Sequence, residues 1–388
     1  MMAIPLRYNL RSLIVRRVST AMTVGGIALV TAVFVLVMAM VAGLAAAIQD
    51  SGSPDNLIAM RKSATTEAES FISSDQFDAL KFLPPIRRDG KGNPLVSPEL
   101  TVQTLLDRIG GAQENIIFRG VEPIALPVHT TVHIIKGRMF NPSLNEVIVG
   151  QALEGRYSGT TLGSTLRFGR GTWTVVGIFA AEGSSFESEI WGELHRVQQS
   201  SQRGSYFSSV RMKLMDGTNT KALIKRLADD PRINLQGMTE PEYYLDQSRV
   251  ADQLRTLVLV MAVIMAAGAI FGAMNTMYAA VSSRTQEIGT LRALGFRPGA
   301  VMASFLFEAV MLALAAGAIG VLLATPINGF SSRFGNFVTF STLAFSFRIT
   351  LTIVIEALTF AATMGLLGGW LPARQAMRMS VVVALRRS

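Results

Sequence analysis

Four long stretches almost free of charge constrain what this chain can fold into. No Asp, Glu, Lys or Arg occurs in the 32 residues from Val18 to Gln49, nor in the 28 from Thr256 to Ser283. The 35 residues between Arg297 and Arg333 hold one charge, Glu308, and the 25 between Arg348 and Arg374 hold only Glu356. A bilayer core takes roughly 20 apolar residues of helix, so each stretch is long enough to span. Backbone in hydrocarbon must satisfy its own hydrogen bonds, which makes each span a helix. The first stretch is longer than the apolar core of a signal peptide and lacks a nearby small-residue cleavage pattern, so it reads as a retained anchor.

The formal net charge of +9 invites a nucleic-acid reading until the charges are located. Residues 50–252 carry 22 basic and 24 acidic side chains, and all seven lysines; the remainder carries 14 arginines against three acids. The arginines gather at Arg7, Arg11, Arg16 and Arg17, at Arg284, Arg292 and Arg297, and at Arg374, Arg378, Arg386 and Arg387. The positive-inside rule therefore puts both termini and the 284–297 loop in the cytoplasm, and 50–252 and 328–348 outside. Basicity is a topology signal, and with no helix-turn-helix, zinc-finger or RNA-recognition pattern, no nucleic-acid partner is expected.

The expected organisation follows. It comprises a cytoplasmic amphipathic helix at 1–20, with Leu6, Leu10, Leu13 and Ile14 at helical spacing (the alternative is a plain basic flank), and a first span at 21–46. An outer domain with helical stalks fills 47–250, and spans follow at 254–281, 301–327 and 349–371. A cytoplasmic loop at 282–298, a Phe-rich outer loop at 328–348 and a cytoplasmic tail at 372–388 complete it. The fold class is thus an α-helical membrane protein with four transmembrane helices and a mixed α/β extracytoplasmic domain between spans one and two. In that domain, 57–60, 115–121, 130–135, 146–149, 165–168, 172–179 and 209–215 read as strands, and 74–83 and 219–229 as helices. Pro84, Pro85, Gly90, Gly92, Pro94 and Pro98 mark a long loop. From Pro241 to about residue 281 the pattern is continuously helical, long enough for a rigid stalk joined to the second span.

Sites for chemistry are scarce. With no cysteine, a disulfide framework, an iron–sulfur cluster and thiol catalysis are excluded. His129 and His133 fall on a predicted strand, about 13 Å apart, too far to share a metal; they and His195 are expected to be structural or at the surface. No Gly-rich loop ends in Lys-Ser or Lys-Thr and no nucleophile motif is visible, so no catalytic or metal-binding residue is expected. Glu308 and Glu356 are acids inside spans, costly there, with packing or assembly roles favoured over proton coupling. Gly268-x-x-x-Gly272 and Gly365-x-x-x-Gly369 permit close helix approach. Six phenylalanines between 330 and 347 suit either packing beneath the outer domain or an apolar entry surface for a lipid-like substrate.

The second cytoplasmic loop carries more information. Asn275, Val281 and then Arg284-Thr285-x-Glu287-Ile288-Gly289-x-x-Arg292-Ala293-x-Gly295 resemble the signature of FtsX/MacB-type ABC transporter permeases, the mechanotransmission (type VII) class. Phe305-Leu306-x-Glu308 and Pro372-Ala373-Arg374 fit as well. Gly137-Arg138-x-Phe140, Glu146–Gly150 and Trp173–Gly177 are similar to a MacB-like periplasmic core domain. The resemblance implies that 282–298 is a coupling loop seated in an ABC ATP-binding subunit, that ATP and Mg2+ are bound by that partner and not by this chain, and that a second permease copy or paralogue completes the complex. It implies a multi-pass protein of the bacterial inner membrane with a periplasmic or extracellular domain, in contact with membrane lipids and with a periplasmic adaptor or acceptor protein. The implied function is export or extraction of a lipoprotein, peptide or hydrophobic drug; the alternative is an FtsX-like regulator of a cell-envelope enzyme that transports nothing.

Overall fold

A computed structural model describes residues 17–336 and 341–379. Most of the expected amphipathic helix at 1–20 and the end of the tail lie outside the described residues. The chain runs through α1 (Arg17–Gln49), β1 (Asn56–Arg61), α2 (Ser74–Lys81), β2 (Val96–Asp107), β3 (Gln113–Val121), α3 (Ala125–Val128), β4 (His133–Gly137), β5 (Glu146–Gly150), β6 (Thr165–Phe168) and β7 (Gly171–Ala180). It continues through β8 (Glu189–Glu193), α4 (Leu194–Ser201), β9 (Ser209–Lys213), α5 (Thr220–Asp229), β10 (Leu235–Thr239) and α6 (Glu240–Gln247). The last elements are α7 (Arg249–Ser283), α8 (Thr285–Ala293), α9 (Pro298–Ala324), β11 (Ser331–Asn336), β12 (Ser341–Ser346) and α10 (Leu351–Arg378). Two compact units result: 1–42 with 252–330 and 347–388, and 43–251 with 331–346.

In the helical unit, α1, α7, α9 and α10 belong to four helices long and apolar enough to cross a membrane. Lipid is as apolar as leucine, so close packing of small residues has to hold such helices together. Ala28, Ala266, Ala273, Ala313, Ala316 and Ala361 supply much of that core, with Ile27 and Met364. A Cβ on Gly320 would come within 2.6 Å of the Ala28 carbonyl, and one on Gly369 within 2.7 Å of the Ala309 side chain. The Gly365/Gly369 pair therefore closes α10 onto α9. Gly268 and Gly272, by contrast, have nothing within 4 Å.

The outer unit is built on a ten-stranded sheet in the order β10-β1-β9-β2-β3-β8-β5-β7-β4, with β6 paired to β7. Most pairs are antiparallel, while β3–β8 and β5–β7 are parallel. One core runs through both ends of the sheet, from Leu57, Val210 and Leu235 to Trp173, Val175 and Ile190. Three expectations change here. The proline-marked loop stops early, because β2 begins at Val96 and passes through Pro98. There β2 pairs only with β9, over 96–99, and meets β3 from Leu100 onward, so a missing N–H at Pro98 has an unpaired side to face. His129 and His133 do not share a strand: His129 ends α3, and His133 starts β4. The Phe-rich outer segment contains an antiparallel hairpin, β11–β12. Phe345 in it is buried, Phe330 before it is exposed, and Phe337 and Phe340 lie outside the described residues.

Candidate coupling site

The nine residues of α8 carry Glu287 in the first turn and Arg292 in the last, complementing the helix dipole at each end. Gly295, at φ +93, supplies the left-handed turn that ends this element, and Pro298 then starts α9. Thr285, Ile288 and Gly289 are buried, whereas Gln286, Glu287, Thr290, Ala293, Leu294 and Gly295 are exposed. Ile288 packs with Met277 and Val281 of α7, Val301, Phe305 and Ala309 of α9, and Ala373 and Ala376 of α10. The inner face of α8 is thus seated on three helices at once.

Two arginines fasten its ends. Arg284, buried just before α8, donates from Nη1 to Oε2 of Glu308 at 2.9 Å, and its guanidinium lies 5.9 Å from the centre of the Phe305 ring. Glu308, the acid that looked out of place inside the third span, is buried as the counter-ion of Arg284. Arg292 donates to the main-chain oxygens of Met377 at 2.9 Å and Met379 at 3.3 Å, where the last carbonyls of α10 lack intrahelical partners. The second span acid, Glu356, pairs with Arg255 at 3.0 Å. Both acids therefore sit in neutral pairs. Among the residues singled out from sequence, Arg284, Thr285, Ile288, Gly289 and Arg292 face or reach the bundle, and Glu287, Ala293 and Gly295 face outward.

The outer unit contains a polar cluster that sequence reasoning missed. Arg119 on β3 binds Glu189 at 2.7 Å, Glu99 at 2.8 Å and Glu67 at 3.0 Å. Arg211 on β9 binds Glu67 at 2.8 Å, Glu240 at 2.9 Å and also Glu99. His129 closes on Glu99 at 2.6 Å, Tyr244 accepts from Arg211, and Trp191 donates to Glu189. All are buried. Burial alone would raise the Glu99 carboxyl, but the charges of Arg211 and His129 outweigh it and hold it at about 2. Burial likewise opposes ionisation of Glu67, and the charges of Arg119 and Arg211 carry it well below the ordinary range. The members are spread over four strands, a turn, the end of α3 and the helix α6, so nothing in their spacing gave them away. The one available signal was an arginine between Val210 and Met212 in a strand buried along its whole length. Glu240 opens α6 and also accepts from the Ser53 amide and the Asn56 side chain, so the cluster grips the helix that leads toward α7. Among the described residues no group of three or more His, Asp or Glu side chains is arranged to hold a metal ion.

Comparison with known proteins agrees with these two halves. Residues 20–230, over half of the chain, match the MacB-like periplasmic core domain family, and 259–381 match the FtsX-like permease C-terminal family. The macrolide export ATP-binding/permease protein MacB of Neisseria gonorrhoeae is 28% identical over 236 residues, covering 58% of this chain and 35% of that protein. The pyoverdine export ATP-binding/permease protein PvdT of Pseudomonas entomophila is 26% identical over 398 residues, covering 96% of this chain and 58% of that protein. The chain thus spans about a third to three-fifths of the length of these curated relatives. The periplasmic region of MacB from Actinobacillus actinomycetemcomitans superposes with a TM-score of 0.38 at 16% identity, covering 50% of this chain and 92% of that one. The four apolar helices, the inserted α/β unit and the matches to both halves place this chain in the FtsX/MacB-like family of ABC transporter permeases, with a MacB-like periplasmic core domain.

Proposed function

We propose that the chain couples ATP hydrolysis in a separate ATP-binding subunit, which holds ATP and Mg2+, to movement of its outer domain, and that this movement exports or extracts a lipoprotein, a peptide or a hydrophobic drug-like molecule. Two relatives carry export in their names, which supports the outward direction. The working complex is a permease dimer, of two copies or a copy and a paralogue, with two ATP-binding subunits and a periplasmic adaptor or acceptor. Both termini and α8 face the cytoplasm of an inner-membrane protein.

The observation that carries this reading is the seating of α8. Its inner face, Arg284 just before it and Arg292 in its last turn are fixed to α7, α9 and α10, and its outer face presents Gln286, Glu287, Thr290, Ala293 and Leu294. A push on that outer face is transmitted to three spans together, because close-packed interiors do not absorb displacement. The test separates the two faces. Glu287→Arg and Leu294→Asp lie on the outer face, and in purified complexes they are expected to weaken association with the ATP-binding subunit at least tenfold while the permease melts as before. Undiminished association would reject α8 as the docking element.

A further inference from the structure

The β11–β12 hairpin connects α9 to α10 in sequence, yet it is part of the outer unit. Three contacts explain this. The amide of Ala344 donates to Oγ of Ser188 at 2.8 Å. Leu343 and Phe345 are each buried to about 5% exposure or less, and Phe345 and Ser346 line, with Ile135, Lys136 and Glu187, a cleft of about 320 Å³. Gly43, near the end of α1, lies so close to the hairpin that any Cβ would overlap the Ser346 carbonyl and meet the Phe345 ring at 3.2 Å. Only a glycine admits this crossing.

The anchor is also continuous with the buried cluster. Ser188 immediately precedes Glu189, and from there ion pairs run Glu189–Arg119, Arg119–Glu99, Glu99–Arg211 and Arg211–Glu240 to the first turn of α6. At the junction of α6 and α7, Gln49 at the end of α1 donates to Ser248 at 3.1 Å. The chain therefore crosses between the two units four times, entering the outer unit at 42–43 and 330–331 and leaving it at 251–252 and 346–347.

We propose that the hairpin is a second transmission arm: α9 and α10 act on the outer domain through it, in parallel with the stalks of α1 and α6–α7, and Gly43 and Ser188 are its positioning residues. The proposal rests on the coupling function proposed above and names a route for it. Packed interfaces shift between discrete arrangements and do not deform gradually, so a fastened hairpin has to travel with the sheet.

The absence of native cysteines makes the test direct. The Ala344–Ser188 hydrogen bond limits their Cα separation to at most about 6.7 Å, within the span of a disulfide. In the full chain bound to its ATP-binding subunit, Ser188→Cys with Ala344→Cys is expected to cross-link equally without nucleotide and in the vanadate-trapped ATP state, leaving ATP hydrolysis unchanged. Cross-linking in one state only, or arrest of hydrolysis by the bond, overturns the proposal. Spin labels at Lys221→Cys and Leu351→Cys then report outer-domain displacement. Gly43→Val and Ser188→Ala are expected to cut the ATP-driven distance change at least twofold with hydrolysis retained, and Ser188→Thr, which keeps the hydroxyl, to restore it. If the wild-type distance responds to ATP and the variants respond equally, the hairpin arm is wrong and the coupling function stands. If the wild-type distance does not respond, the coupling function itself fails.

Discussion

Arg211 touches carboxylates from a turn, a strand and a helix, namely Glu67, Glu99 and Glu240, and its side chain is fully buried. Removing one partner of a buried ion network leaves uncompensated charge, which costs about 3–5 kcal/mol. Arg211→Met is therefore expected to lower the melting temperature of the outer unit, read by calorimetry on the detergent-solubilised chain, by roughly 10 °C. A loss no larger than that of an exposed control such as Arg170→Met would mean the cluster is not a stability element. The same carboxylates set a pH dependence. Their folded values lie below the ordinary 4.5, Glu99 at about 2 and Glu67 lower, so the unfolded chain takes up protons first as pH falls. Their contribution is present above about pH 4.5 and is lost progressively as the pH falls, through about 2 for Glu99 and lower for Glu67. The denaturant midpoint should therefore fall between pH 5 and pH 3, and Glu99→Gln should flatten that slope.

At the scale of elements, packing distinguishes two glycine motifs that look alike in sequence. A Cβ at Gly365 would come within 2.8 Å of the Ala309 carbonyl, whereas Gly268 faces open space. Gly365→Leu is expected to part α9 from α10 and lower the detergent melting midpoint, an overpacking cost of about 1–3 kcal/mol. Gly268→Leu should leave the midpoint unchanged, and equal effects at the two sites would refute this packing. The contrast also marks what was legible beforehand. The four spans, the inserted α/β domain and the family could be read because charge depletion, arginine clustering and a local motif are all properties of contiguous sequence. The role of Arg284 could not, because its partner Glu308 lies 24 positions away on another helix. β2 hid behind Pro94 and Pro98, since the strand's lack of a second neighbour at Pro98 depends on register. β8 and the buried cluster hid for a related reason: Glu189 and Glu193 look like surface charges until β3 and β5 close on both sides.

For the whole molecule, the number of connections between the two units decides how motion divides among them. The stalk is helical through its junction: α6 ends at Gln247, Ser248 keeps helical angles at φ −77 and ψ −6, and α7 begins at Arg249. A stalk acting alone would make the outer domain's response depend entirely on this segment. With the hairpin as a parallel arm, softening the stalk removes part of the response and leaves the rest. Inserting two glycines after Ser248 adds the most flexible residues at the point where α1 and α6–α7 are tied by Gln49. The insertion is expected to preserve ATP hydrolysis and to reduce the Lys221–Leu351 distance change only in part. Combined with Gly43→Val, it should abolish that change. Complete loss from the insertion alone would assign transmission to the stalk, and no loss from the pair would exclude both the stalk and the hairpin as carriers of the motion.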